Sequence, residues 1–204
     1  MIIIDGRQAG VNIDSFANLE EILVQTYTEC SSERRIVTDV LLNNEPFSEI
    51  YPHQAEDIER NEIKHVEIRT VSIDEMAISI TDELFKVTRM LSDGSRKIAT
   101  LFRQGDDLEA LEIFQDLLDV TRDFMSTVGV LRTEYVEVRD LQFDKLIEDI
   151  AALLGEMSEV LANEDWVLLS DLLEYEFLPV CQSWNAILQT LRQEISRATD
   201  TLQP

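Results

Sequence analysis

From Ile73 to Phe102 the apolar residues recur in alternating steps of three and four. Ile73, Ala77, Ile80, Leu84, Val87, Leu91, Ile98, Leu101 and Phe102 fall on one stripe. Only an α-helix gathers positions so spaced onto one face. The segment contains no proline, so it predicts one helix of about 45 Å at roughly 1.5 Å per residue. Continuing the stripe puts Gly94 on the inner face. A glycine there costs about 1 kcal/mol against alanine, which predicts a weak point in the helix and not a break. Asp74 is the expected cap, and Gln104-Gly105-Asp106 the expected stop, with Asp106 or Asp107 opening the next helix.

The same period continues to the end of the chain. Leu108, Leu111, Phe114, Leu118, Thr121, Met125 and Val128 predict a second helix ending between Gly129 and Arg132. Thr133 is the expected cap of a third, carrying Val136, Phe143, Leu146, Ile150, Leu153, Met157 and Leu161. Asn163-Glu164-Asp165 breaks it. Trp166, Leu169, Leu172, Leu173, Val180, Trp184, Ile187, Leu191 and Ile195 mark a fourth. The two halves also resemble each other. The turn Gly105-Asp106-Asp107-Leu108 recurs 58 residues on as Asn163-Glu164-Asp165-Trp166, and Leu84, Val87 and Leu91 align with Phe143, Leu146 and Ile150 at an offset of 59. Two similar αα-hairpins with short connections predict an antiparallel four-helix bundle over residues 73–204.

Residues 1–72 have a different character. Ile2-Ile3-Ile4 is a β-branched run ended by Asp5-Gly6, with Val11-Asn12-Ile13 as the expected return strand. Asp14 or Ser15 is then the expected cap of a helix over 17–29, with Phe16, Leu19, Ile22, Leu23 and Tyr27 on its inner face. Residues 35–42 read as a strand, Asn43-Asn44 as a hairpin turn, and Glu45-Pro46-Phe47 as a return kept short by a proline that cannot donate to a ladder. A short helix is expected near Gln54–Glu59, and Val66–Val71 alternates as a half-buried strand should. This order of strand, strand, helix, strand, short strand, strand resembles the ubiquitin-like β-grasp. The resemblance covers about a third of the chain, and Val71-Ser72 runs on into more protein where a conjugated modifier would end in Gly-Gly. It implies a small recognition domain with a partner-binding sheet face. The fold class expected is therefore α+β, with a β-grasp-like domain over 1–72 and a bundle of two similar helical hairpins over 73–204.

Charge narrows the partners. Seventeen Lys and Arg against 41 Asp and Glu leave a net charge of −24, shared between both parts at −8 and −16. Nucleic acid and anionic membrane surfaces both need clustered cations, and the densest clusters here are Arg34-Arg35 and Arg96-Lys97. No apolar run approaches the roughly 18 residues of a membrane-spanning helix. The N-terminus lacks the pattern of a signal peptide, and Cys30 and Cys181 are isolated, so the cytoplasm is the expected compartment.

Candidate chemistry is thin. Di-iron bundles need two Glu-x-x-His pairs on facing helices, and the predicted bundle holds no histidine. Glu62 and His65 have that spacing only outside it, and His53, near Glu56 and Asp57, reads as a solvated loop residue. Neither cysteine has a histidine within ten residues, and the glycine-rich phosphate cradles are missing. Asp106, Asp107, Glu109 and Glu112 are accounted for by the dipole of the helix they open. The expectation is thus no cofactor, no metal and no catalysis. The most distinctive stretch is Glu174 to Trp184, where Pro179 should kink the fourth helix after about residue 175. Tyr175, Phe177, Pro179 and Trp184 are the candidate partner-binding residues. The competing reading is a core kink around the tryptophans, with Glu176 at the exposed edge of the stripe. The function expected is a non-enzymatic interaction or adaptor protein that binds a basic or amphipathic protein segment, through a bundle groove or the sheet face. An acidic export chaperone, dimerising where it must cover such a groove, is the alternative, and a carboxylate-based enzyme the weaker third.

Overall fold

Asp5 and Gly6 adopt φ of 48° and 76°. Positive φ at both turn residues matches the right-handed twist of strands, so the chain reverses in two residues. In the computed structural model, which describes residues 1–48, 54–136 and 141–202, β1 (Ile2–Ile4) pairs directly with β2 (Arg7–Gln8). The return strand thus comes earlier than the expected Val11-Asn12-Ile13, and Ile13–Ser15 forms a 3₁₀ turn. Helix α1 (Leu19–Ser32) is capped by Asn18, not by Asp14 or Ser15; the Asn18 side chain accepts from the Glu21 amide at 3.0 Å.

Strand β3 (Arg35–Leu42) turns through Asn43 and Asn44, at φ 54° and 72°, into β4 (Glu45–Pro46). The Asn43 side chain also accepts from the Lys64 and His65 amides. Gln54–Glu59 forms turns where a short helix was expected, and a 3₁₀ turn follows at Arg60–Glu62. Strand β5 (Val66–Ser72) closes the sheet in the order β2-β1-β5-β3-β4, with β1 and β5 parallel and the other pairs antiparallel. A mixed five-stranded sheet with a helix after its first hairpin fits a small β-grasp-like domain. Asp5 ties three strands together, accepting from the Thr70 amide and hydroxyl at 2.7 Å each and from Arg35 at 3.1 Å. The core beneath α1 holds Leu19, Ile22, Ile63, Val66 and Ile68, none more than 2 % exposed. Full burial of each such side chain stabilises by about 1.5–3 kcal/mol.

Helix α2 (Ile73–Gln104) follows β5 with no loop and runs unbroken through Gly94. Its cap is Ser72, not Asp74: the Ser72 hydroxyl accepts from the Glu75 amide, and the Glu75 carboxylate from the Ser72 amide. Contacts divide the chain into two compact units, 1–76 and 77–204. In the second, α2 is followed by α3 (Asp107–Tyr135), α4 (Leu141–Ala162), and a fourth long helix made of α5 (Trp166–Asp171), a π-helical segment (Leu172–Phe177) and α6 (Leu178–Leu202). Helix α3 passes the stop expected at Gly129–Arg132, because its buried stripe continues from Val128 to Leu131. Thr133 therefore lies inside α3, its hydroxyl donating to the Gly129 carbonyl, and caps nothing.

The four long helices form an antiparallel bundle of two hairpins. Lys97 bridges to Glu109 at 2.9 Å across the first. Arg132 joins α3 to α4 through Asp144 and the Phe143 ring. Ser95, Thr88 and Asp82 on α2 meet Leu173, Asn185 and Arg192 in turn, so α2 and the fourth helix run in opposite directions. Trp184 stands edge-on to Phe124 and Phe143 at the centre. The innermost polar positions of α2 are Thr81, Thr88 and Ser95, each 2 % exposed or less; Ile80, Val87 and Gly94 flank them.

The hairpin repeat is visible in the backbone, one residue out from the offset of 58 read at the turn. In the first turn the amide of Asp106 donates to Leu101, Gly105 to Phe102, and Ala110 to Asp106. Asp165 to Val160, Glu164 to Leu161, and Leu169 to Asp165 repeat those bonds 59 residues later. Gly105 and Glu164 both take positive φ. Buried Ala110 and Phe114 match Leu169 and Leu173 at the same offset, but Leu117, Thr121, Phe124, Val128 and Leu131 match Phe177, Cys181, Trp184, Leu188 and Leu191 at 60. The change falls within the π segment, where the Leu178 amide reaches the Leu173 carbonyl five residues back. The second hairpin holds one residue more than the first, and the wider π turn absorbs it. That turn also relieves Pro179, whose ring would crowd the carbonyl four residues earlier in a regular helix. A π-helical widening thus spans residue 175, after which the kink was expected.

Candidate functional site

One concavity of the first unit lies between α1 and β3. Helix α1 turns Leu19, Ile22, Leu23, Thr26 and Cys30 inward. Tyr27, expected among them, is off that line; it is 49 % exposed and stands beside Val24, 57 % exposed. Together with Leu23 they form one wall of a groove of about 620 Å³. Residues 37–41 of β3 form the other, and Pro46, Phe47 and Ser48 close one end.

The β3 wall is also a sheet edge. Strand β4 pairs only with Leu41 and Leu42, and the Phe47 amide adds one bond to the Val40 carbonyl at 2.8 Å. Pro46 itself has no amide hydrogen to donate to the ladder. Among the described residues, no strand lies along the outer edge of residues 35–39. A bulge between Val37 and Asp39 bends the strand there. The groove lining carries two carboxylates, Glu20 and Asp39, against one cation, Arg69. Helix α1 carries Glu20, Glu21 and Glu29 and no basic residue. Asp39 is exposed on β3, and the groove's single cation, Arg69, is held by Glu67 at 3.0 Å.

Sequence reasoning did not single out this groove. Its signal was an eight-residue strand whose hairpin partner carries a proline, so that among the described residues only part of one edge is paired.

The four residues singled out near the helix kink divide into two pairs. Phe177 and Trp184 are 0 % and 1 % exposed and belong to the bundle core, while Tyr175, at 64 %, and Pro179 face outward. Glu176 is exposed, and Glu174 and Asp171 hold Arg103. The two thiols are buried. Burial pushes Cys181 up to about 12, and burial followed by the nearby Asp5 and Glu33 carboxylates raises Cys30. Asp106 stands at the N-cap position of α3 without a side-chain capping bond, and Glu109 is the partner of Lys97. His65 is half-buried at the start of β5, and His53 lies outside the described residues. Among the described residues, no group of three or more His, Cys, Asp and Glu side chains is set to hold a metal ion, and no helix is long and apolar enough to cross a membrane.

A family model described as Domain of unknown function (DUF8043) matches residues 1–71, and one described as Domain of unknown function (DUF8042) matches residues 79–187. No curated protein and no solved structure matches the chain. The first match falls within the sheet unit and the second within the bundle. The second spans more than half of the 204 residues, and the chain belongs to the family described as Domain of unknown function (DUF8042).

Proposed function

We propose that this chain is a non-enzymatic recognition protein of the cytoplasm, and that it seats a partner protein in the groove between α1 and β3. The observation that carries this reading is the exposure of Val24 and Tyr27 on the wall of one concavity. Neighbouring exposed apolar groups in a concavity are a common mark of a protein interaction site. The ubiquitin-like element order supports a recognition role for the first unit. The export-chaperone alternative calls for an apolar groove in the bundle. Phe177 and Trp184, which would floor it, are enclosed, so the first unit supports binding better.

Site-specific photocrosslinking in the source cells tests this. A photoreactive phenylalanine replaces Tyr27 in one full-length chain and Tyr175 in another. The expected result is one dominant adduct from position 27 and none from position 175. Adducts from position 175 alone would move the site to the bundle, and none from either would remove the reading.

A further inference from the structure

We infer that the end of the bundle carrying its two hairpin turns is a docking surface, and that its occupant is a basic amphipathic helix of another protein. This surface is separate from the groove between α1 and β3 and does not depend on it; with both, the chain joins two partners. The first observation is exposure. Leu108 and Val167 are 85 % and 71 % exposed, the two highest values among the large apolar side chains described. They are also repeat mates. Each stands second in its helix, α3 or the fourth, at the offset of 59 that relates the bonds of the two turns. Leu168, 42 % exposed, follows Val167. One exposed leucine is ordinary on a protein surface, but an outward apolar residue present at the same place in both repeats is not. The antiparallel hairpins set both turns at one end, and the Phe102 and Trp166 rings, stacked at 5.2 Å, join the close of α2 to the start of the fourth helix there.

Charge supplies the second observation. Every charged residue in 104–112 and 159–168 is a carboxylate. Near the end of α2, Arg96 is held by Asp93, Lys97 by Glu109, and Arg103 by Asp171 and Glu174. Asp106, Glu164 and Asp165 are exposed and have no ion-pair partner among the described residues. Two helices begin at this end and two finish, so their dipoles offset one another and the carboxylate charge stands. Such a surface repels a second copy of itself and attracts lysine and arginine. Third, the backbone of both turns is already bonded: Asp106 to Leu101 at 3.0 Å, Asp165 to Val160 at 3.2 Å, and the Leu168 amide to the Asp165 side chain at 3.0 Å. An added strand finds little to pair with, whereas a helix brings its own backbone bonds and offers only side chains. Its apolar stripe meets Leu108 and Val167, and its flanking cations meet the carboxylates. Fourth, the undescribed residues of this unit adjoin the close of α3, the start of α4 and the close of α6, all at the opposite end of the bundle.

The test uses the full chain with isotope-labelled amides and three synthetic peptides of about 18 residues, five helical turns. One carries leucines at helical spacing with lysines on either side. The next holds the same residues reordered so that the leucines circle the helix. The last replaces each lysine of the first with glutamate. The expected result is that the first peptide shifts the amide signals of residues 106–109 and 165–168. The other two bind at least about tenfold more weakly, a difference of about 1.4 kcal/mol. Leu108→Ser with Val167→Ser weakens the first peptide by at least about as much. Both positions face water, so a thermal melt of that variant should match the parent; should it fall, the reordered peptide asks the same question from the ligand side. Equal binding of the reordered peptide, or of the serine variant, overturns the inference, because it reduces binding to general attraction toward a chain of net −24. Equal binding of the glutamate peptide overturns the basic partner. Shifts confined to α1 and β3, or none at either turn, overturn the surface itself, while the crosslink from position 27 judges the groove separately.

Discussion

Thr81, Thr88 and Ser95 occupy core positions where an apolar side chain is the default, and each has its hydroxyl proton placed. Thr81 donates to the Ala77 carbonyl at 2.8 Å, Thr88 to Phe85 and to the Asn185 side chain, and Ser95 to the Leu173 carbonyl at 2.5 Å. A buried hydroxyl left without a partner costs about 1–3 kcal/mol, so these bonds are what allow polar groups in the core. Cys181 differs, since burial outweighs an opposing backbone hydrogen bond and pushes the thiol up to about 12, against an ordinary 9.0. The linkage follows in sign. The unfolded chain ionises first, so the stability this group contributes is fully present below about pH 9 and is lost as pH rises toward about 12. Raising the pH from about 9 to 11 should therefore lower the melting temperature of the native chain more than that of Cys181→Ala. Scanning calorimetry on both checks this, and equal slopes would mean that Cys181 titrates as it does in the unfolded chain.

At the level of elements, the one-residue surplus of the fourth helix makes a sharp prediction. Deleting Glu176 together with Pro179→Ala should give a regular helix whose core residues keep the first hairpin's register throughout. Its stability is expected within about 2 kcal/mol of the parent. The deletion with Pro179 kept should lose about 3 kcal/mol more, because the ring then sits in an unrelieved α-helix. Deleting Ser183 instead turns each later residue by about 100° and swings Leu188 and Leu191 out of the core, so that variant should fail to fold. Urea titrations of the three settle it; equal loss for both deletions would remove the insertion account. The long helices were legible because their period repeats over many turns. Local boundaries were less so. Ser72-Ile73-Asp74-Glu75 carries a capping box, yet Asp74 drew attention as the acidic residue nearer the stripe. Tyr27 looked inward because a three-four step can continue from Leu23 to either Thr26 or Tyr27. The π segment was hidden because one offset was carried through it. The groove was hidden because strand pairing beyond the hairpin is not a local property.

Taken whole, the molecule carries an excess of 24 negative charges. Exposed ion pairs such as Lys86–Glu83 and Arg122–Asp119 contribute at most about 1 kcal/mol each and weaken in salt. The unpaired excess repels itself and is relieved by salt. We expect the second effect to win. Raising sodium chloride from about 20 mM to about 500 mM should raise the melting temperature by about 2–4 °C, corresponding to about 1 kcal/mol in a chain of this size. A fall in the same scan would mean that the ion pairs matter more than the excess.

The two hairpins share one core pattern, and that likeness poses a problem of assembly. A chain that contains nearly the same hairpin twice is liable to mispair, with the first hairpin of one copy finding the first of another. The hydroxyls of α2 mark the correct mate. Thr88 needs Asn185, where the first hairpin has Met125 at the matching place. Ser95 needs the Leu173 carbonyl, and the matching carbonyl, that of Phe114, sits in a regular helix with no widened turn to present it. A wrong pairing would take from Ser95 its partner across the bundle and leave Thr88 only the Phe85 carbonyl of its own helix. The near-symmetry that lets one hairpin serve twice is thus broken at the two contacts that decide which copy goes where.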